Sequence, residues 1–219
     1  MIIAIDGPAG VGKSTVAKLL ARQLGYLYLD TGALYRALAL KILQSGIHPT
    51  DHERIAQMLP DTSIQMQFQN NTMQVLVDGV DVTGILRTPE VTETASVVSA
   101  FPTVREWLLP IQQRIGQRGS VVAEGRDIGT RIFPNAQFKF FLDAETAIRV
   151  ERRHRELVAA GRSGEIETTF QELSNRDMRD RTRAIAPLVP AMDARLIDTS
   201  TLSPEQVVDQ IVAVVSTPS

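Results

Sequence analysis

Gly7-Pro8-Ala9-Gly10-Val11-Gly12-Lys13-Ser14 matches the pattern G-x-x-x-x-G-K-[S/T] and follows the short apolar run Ile2-Ile3-Ala4-Ile5. Glycines at 7, 10 and 12 let the backbone open and turn several N–H groups toward one point, where the following helix N-terminus also favours an anion. In this pattern Lys13 reaches the β- and γ-phosphates of a nucleoside triphosphate, and the Ser14 hydroxyl takes one position on Mg²⁺. The plain alternative is a glycine-rich strand-to-helix turn. The apolar strand before the motif and the helical pattern from Thr15 to Leu24 favour the phosphate cradle, so Gly7 to Thr15 is the expected ATP-binding segment.

Three further clusters carry charge. Asp30-Thr31-Gly32-Ala33-Leu34-Tyr35-Arg36 follows a second apolar run and opens a helix, at the carboxyl edge where open α/β sheets bind ligands. There Thr31 fits either a ligand contact or an N-cap, and Arg36 either an anion site or a solvated face. Glu124-Gly125-Arg126-Asp127-Ile128-Gly129 leaves another strand. Such a cluster is costly at a sheet edge unless it meets a ligand or pairs internally, with Arg126 on Asp127 or Glu124. The functional reading sets Arg126 on a substrate phosphate and Glu124 near Mg²⁺ through water, in the Walker B position. Finally, Arg176, Asp180 and Arg183 are spaced i, i+4, i+7 in a helix that stops before Pro187, which suits a salt-bridged surface helix and an anion-binding face alike.

Basic residues are skewed to 19 Arg against 4 Lys, and nine of those Arg lie between Arg149 and Arg183. Guanidinium offers a planar fork for bidentate contact with phosphate. Arg149, Arg152, Arg153 and Arg155, with Arg162 in a loop around Gly161 and Gly164, suit a mobile lid that closes over transferring phosphate and excludes water. No nucleophile with an oriented base is evident, and no Asp stands where a neutral alcohol acceptor would need one. An acceptor that is itself a phosphate needs no base, only neutralised and aligned charge, which points to a nucleoside monophosphate as acceptor.

The elements that must position these groups follow a strand-helix rhythm that predicts a parallel sheet with helices on both faces. Expected strands are Ile2 to Ile5, Tyr26 to Leu29, Ser120 to Ala123, Gln137 to Leu142 and Arg195 to Ile197. Expected helices run from Thr15, from the Asp30 motif to near Gly46, from near Ala144, and from Ser203-Pro204-Glu205. Between Ser63 and Val82 the pattern alternates, with turns at Asn70-Asn71 and Asp78-Gly79, which predicts a small antiparallel sheet of about three strands inserted as a satellite. An edge extension of the main sheet is the alternative.

The whole chain, 219 residues and 43% hydrophobic, suits one α/β domain with a full core. A net charge of -2 invites neither nucleic acid nor an anionic membrane. The absence of cysteine excludes disulfides and thiol catalysis and suits a reducing cytosol, while His48, His52 and His154 are too scattered for a zinc cluster. No apolar run approaches the roughly 18 residues of a membrane span, so a soluble, unprocessed chain is expected; a cytoplasmic location and a monomeric state are expected beside it. Ser216 to Ser219 reads as a frayed tail.

Through the P-loop, the Asp30 to Arg36 motif, Gly125-Arg126-Asp127-Ile128-Gly129-Thr130, Arg176-Asp177-x-x-Asp180-x-x-Arg183 and Ala186-Pro187-Leu188-Val189-Pro190, the chain closely resembles bacterial cytidylate kinases from about Ile2 to Val214. The resemblance implies an adenylate kinase-like three-layer αβα P-loop fold with a five-stranded parallel sheet. It implies a single kinase domain over 1–219, with a monophosphate-binding region over 31–118 that carries the β insert (about 63–82), and a helical lid over 149–166. It also implies Mg²⁺-dependent transfer from ATP to CMP or dCMP in pyrimidine metabolism. By that likeness Arg36, Arg126 and Arg183 hold the CMP phosphate, and Arg176 and Asp180 the ribose, with Tyr35 and Thr31 nearby. Ser96, Arg105 and Asp127 read cytosine, the choice of Ser96 over Ser99 resting on the resemblance alone. Lys13, Arg126 and Arg183, with Arg152 and Arg155 on the triphosphate side, are the expected catalytic residues. A kinase of another small acceptor, such as UMP or a sugar acid, and a GTP-dependent switch are the rival readings; the missing Asn-Lys-x-Asp guanine motif counts against the switch.

Overall fold

The strand β1 (Ile2–Asp6) runs parallel to β6 (Val121–Gly125) on one side and to β7 (Phe138–Asp143) on the other, and β8 (Arg195–Asp198) runs parallel to β7. With β2 (Leu27–Asp30) at the far edge, the five-stranded sheet has the order β2-β6-β1-β7-β8. This computed structural model describes residues 1–69, 72–117, 119–159, 161 and 165–216. The chain divides into two compact units, Met1–Tyr28 with Ser120–Ser219, and Leu29–Gly119.

In the first unit the near-continuous apolar runs become strands because both sheet faces are covered. Helices α1 (Lys13–Leu24) and α8 (Pro204–Val215) bury Val16, Ala17 and Leu20, and Val207, Val208 and Ile211, in one cluster with Ile3, Ile5, Phe140 and Leu142. Each such side chain contributes about 1.5–3 kcal/mol relative to exposure, which anchors β1 and hence the loop that follows it. The expected start of α8 is realised as a capping box: the Ser203 hydroxyl accepts from the Gln206 N–H, and the Gln206 side-chain oxygen accepts from the Ser203 N–H. The arginine-rich helix α6 (Thr146–Ala159) starts two residues after its expected position. The next helix, α7 (Ile166–Thr182), ends before Pro187 as expected, but Arg183 lies just past its last turn, with an extended backbone. One helix face therefore does not place all of Arg176, Asp180 and Arg183.

The second unit opens with α2 (Thr31–Gln44), whose N-cap is Asp30, accepting from the Ala33 N–H; Thr31 is the first helical residue and not the cap. A short helix, α3 (His52–Met58), precedes the expected antiparallel sheet of β3 (Ile64–Gln69), β4 (Thr72–Val77) and β5 (Val80–Asp81). Its register pairs Ile64 with Val77 and Met66 with Val75 on the buried face, so the period-two alternation fixes which side chains enter the core. The sheet is separate from the main one. The Asn70-Asn71 turn lies outside the described residues. Two helices that the sequence analysis leaves unassigned, α4 (Pro89–Val98) and α5 (Pro102–Gly116), complete the unit. Thr88 caps α4 with Pro89 at its first position, the same signature that located α8. Among the described residues no helix is long and apolar enough to cross a membrane.

Candidate active site

From the end of β1 the chain enters the glycine-rich loop. Gly7 has φ 150°, and a Cβ there would sit 2.1 Å from the Leu142 carbonyl oxygen. At Gly10, with φ 80°, a Cβ would lie 2.8 Å from the Arg149 carbonyl oxygen, so the loop lies this close to β7 at Gly7 and to α6 at Gly10 only because both side chains are missing. The loop ends in Lys13, the first residue of α1, whose Nζ is buried and donates to the Pro8 carbonyl at 2.5 Å. Burial first, then the positive charge of Arg126, pushes the Lys13 ammonium well below the usual lysine range, while Glu124 and Asp180 act the other way. A triphosphate would supply the missing countercharge. Ser14 is partly exposed in the first turn of α1, and Thr15 is exposed beside it.

Opposite charges gather around the same loop. Glu124, buried at the end of β6, accepts from the Tyr28 hydroxyl at 2.6 Å. Arg126 Nε donates to Asp180 Oδ2 at 2.8 Å. Arg183 reaches Asp180 Oδ1 and Asp127 Oδ1, each at 3.5 Å, and donates to the Ala186 carbonyl at 2.6 Å. Arg126 thus pairs across the fold with Asp180, which the sequence did not suggest. Burial would raise the Asp180 carboxyl, but Arg126, Arg176 and Arg183 outweigh it and hold the group below the ordinary range. This places the expected residues Arg126, Asp127, Arg176, Asp180 and Arg183 in one charge network, in the field of Lys13. Arg152 is tied to Thr199, whose hydroxyl donates to the P-loop carbonyl of Val11. Arg155 is exposed and pairs with Glu151 on its own helix. Arg162 and Gly164 lie outside the described residues.

Asp6, which sequence reasoning missed, organises this end of the sheet. Its carboxylate accepts from the N–H groups of Ile128 and Gly129 at 2.7 and 2.8 Å, pinning the turn that carries Arg126 and Asp127 to the base of the P-loop. Burial raises its carboxyl to about 6, against the two backbone bonds that lower it. The fold therefore holds more protons here than the unfolded chain between about pH 4 and 6, and stability falls as pH rises through that window. Relative to Asp6→Asn, the expected loss from pH 4.5 to 7 is on the order of 2 kcal/mol. Urea unfolding at pH 4.5 and 7, with the Asp6 carboxyl midpoint followed by ¹³C NMR, checks it; a midpoint near 4 would be the wrong result.

In the second unit Asp30 anchors two arginines, Arg36 at 2.7 Å and Arg87 at 3.1 Å. Burial alone would raise the Asp30 carboxyl, but the charges of Arg36 and Arg87 lower it instead. Arg105 is buried, lies over the Tyr35 ring at 5.5 Å and donates to the Ser99 carbonyl at 3.0 Å. The Ser99 hydroxyl is spent on the Ser96 carbonyl, whereas the buried Ser96 hydroxyl has no hydrogen-bond partner among the described residues. Thr31 is buried at the start of α2. Arg87 and Asp30 carried no separable signal in the sequence beyond Asp30's place in its motif.

A buried P-loop lysine at the start of the helix that follows a parallel strand, near paired arginines and carboxylates, defines a P-loop nucleotide-binding protein. The model of the cytidylate kinase family matches residues 3–217. The chain is 46% identical over 214 residues to a cytidylate kinase of Geobacillus sp. (strain WCH70), covering 98% of this chain and 96% of that protein. It is 49% identical over 216 residues to the bifunctional pantoate ligase/cytidylate kinase of Synechococcus elongatus, where 96% of this chain spans only 41% of the relative's length. Among solved structures, an uncharacterized protein from Eubacterium ventriosum superposes with a TM-score of 0.53 at 14% identity, over 100% of this chain and 99% of that one, a likeness of fold alone. The chain belongs to the cytidylate kinase family.

Proposed function

We propose that this protein transfers the γ-phosphoryl group of ATP to CMP or dCMP, giving ADP and CDP or dCDP, as a cytoplasmic, monomeric enzyme of pyrimidine nucleotide metabolism. The observation that carries the reading is the charge network at the P-loop, where buried Lys13 lies in the field of Arg126 and Arg176. Gly7 to Thr15 bind the donor. Arg36, Arg126 and Arg183 take the acceptor phosphate, Arg176 and Asp180 the ribose, with Thr31 and Tyr35 beside it; Arg152 and Arg155 serve the donor side. An oxygen of the acceptor phosphate forms a bond to the γ-phosphorus in line as the bond to the ADP oxygen breaks, and ADP leaves with that electron pair.

Mg²⁺ suits the oxygen donors present, the Ser14 hydroxyl and the Glu124 carboxylate acting through water, and would neutralise triphosphate charge. Ser96, Arg105 and Asp127 read the base: the carboxylate accepts from the cytosine amino group, and arginine and hydroxyl answer its ring acceptors. The unpartnered, buried Ser96 hydroxyl supports its choice over Ser99. The Leu29–Gly119 unit corresponds to the monophosphate-binding region, and 149–166 to the lid.

ADP formation from Mg-ATP against CMP, dCMP, UMP, AMP, GMP and shikimate tests the reaction. Preference for CMP and dCMP supports it; preference for another acceptor overturns it. Asp127→Ala is expected to raise the KM for CMP by roughly 10- to 100-fold, the loss of a hydrogen bond to a charged group, with little change for ATP. Unchanged CMP kinetics would remove Asp127 from the base site.

A further inference from the structure

One buried arginine is not needed to bind either nucleotide in the proposal above. Arg149 lies in the first turn of α6 with only 6% of its surface exposed. Its Nε donates to the Ala144 carbonyl at 3.2 Å, one terminal nitrogen to the P-loop carbonyl of Ala9 at 3.2 Å and to Asp177 Oδ2 at 2.5 Å, and the other to the Thr146 hydroxyl at 3.3 Å. Beside this polar contact the Ala9 methyl packs with Val150 of α6 and Leu173 of α7 in a small buried cluster of its own. The two helices therefore grip the same P-loop residue twice, by its side chain and by its carbonyl.

In a trans peptide the C=O and the following N–H lie in one plane and point in opposite directions. Fixing the Ala9 carbonyl toward Arg149 thus turns the Gly10 N–H the other way. Left unrestrained, the same peptide could rotate and present its carbonyl dipole to a bound phosphate, replacing attraction with repulsion. Gly10 reinforces the geometry, since its missing side chain is what lets the Arg149 backbone come this close.

We propose that Arg149, held in place by Asp177, is a positioning residue for the donor site: it pins the Ala9 carbonyl outward so that the Gly10 N–H faces the triphosphate. This rests on the reading of Gly7 to Thr15 as the triphosphate cradle. The charge-assisted bond to Asp177 keeps the guanidinium aimed while burial excludes water from competing. Lysine has one donor centre and cannot serve Ala9, Asp177, Ala144 and Thr146 together.

Arg149→Met, Arg149→Lys and Asp177→Asn are to be compared by steady-state kinetics and by calorimetric titration with Mg-ATP alone. The expected result for Arg149→Met is a rise of about a hundredfold in the KM for ATP, the cost of misplacing a phosphate contact by an ångström or so. The KM for CMP is expected to stay within about twofold. Millimolar guanidinium is expected to recover much of the loss, which a merely destabilised fold would not show. If Arg149→Met does not fold, Arg149→Lys and Asp177→Asn carry the test, with Mg-ATP affinity lowered about tenfold as one strong contact weakens. Unchanged Mg-ATP affinity in a folded variant, or an equal loss for CMP and ATP without guanidinium recovery, overturns the proposal. Calorimetry needs no acceptor, so a wild-type protein that binds Mg-ATP but does not phosphorylate CMP would overturn the activity and leave this inference standing.

Discussion

Lys13→Met is expected to reduce kcat with Mg-ATP and CMP by on the order of a thousandfold, while leaving thermal stability unchanged or raised. Removing one preorganised donor from developing charge costs roughly a hundred- to a thousandfold, and here the donor carries a full charge. The stability half of the expectation follows from the same burial. Lys13 holds its charge at a cost, pushed well below the usual range by burial and by Arg126, and it donates a hydrogen bond to the carbonyl of Pro8 in its own loop. Methionine keeps an unbranched apolar stem and removes that charge. Thermal melts followed by circular dichroism, alongside ADP formation, separate the two effects. A kcat within tenfold of the parent would show that Lys13 does not act on the transferred group, whatever happens to the melting temperature.

Asp180→Ala is expected to cost about 3–5 kcal/mol, because it strips a carboxylate from buried arginines rather than removing a whole ion pair. Arg126 loses its bond at 2.8 Å, and Arg183 keeps the longer contact to Asp127 and the bond to the Ala186 carbonyl. The damage should therefore concentrate on Arg126. If Asp180 also holds the ribose, the KM for CMP rises by more than tenfold while the KM for ATP moves little. Asp180→Asn keeps the shape and should recover part of the stability without recovering CMP affinity. The pH dependence has a definite sign: the Asp180 carboxyl is lowered by its arginines, so its contribution is present above the unfolded value of about 4 and lost as pH falls through the folded one. This is opposite to Asp6, whose raised carboxyl costs stability as pH rises toward 6. Urea unfolding of Asp180→Asn and Asp6→Asn from below about pH 4 to pH 7 reads the two signs separately, and an Asp180→Ala protein as stable as its parent would mean that the arginines find other partners.

Local grammar made much of this protein legible. The P-loop spacing, the apolar runs that become β1, β6 and β7, the alternation from Ile64 to Val77 and the Ser203-Pro204-Glu205 helix start are all properties of neighbouring residues, and each is found where its pattern predicts. Helices α4 and α5 escaped even though Thr88-Pro89 carried the start signature used for α8. Around the Asp30 motif the cap fell to the acid rather than to Thr31, both being capping residue types at adjacent positions.

Composition and spacing by themselves determined that this chain builds a glycine-rich P-loop at the end of a parallel strand and is rich in arginine, since those signals depend on residues a few positions apart. Which carboxylate meets which arginine was decided only by the tertiary structure. Arg126 finds Asp180 across 54 positions, Asp6 finds Ile128 across 122, and Arg149 finds Ala9 across 140. No periodicity reaches that far, and a guanidinium is satisfied equally well by any carboxylate in reach. Ser96 and Ser99, three positions apart on one helix end, differ in the same way: the Ser99 hydroxyl donates to the Ser96 carbonyl, whereas the buried Ser96 hydroxyl has no hydrogen-bond partner among the described residues.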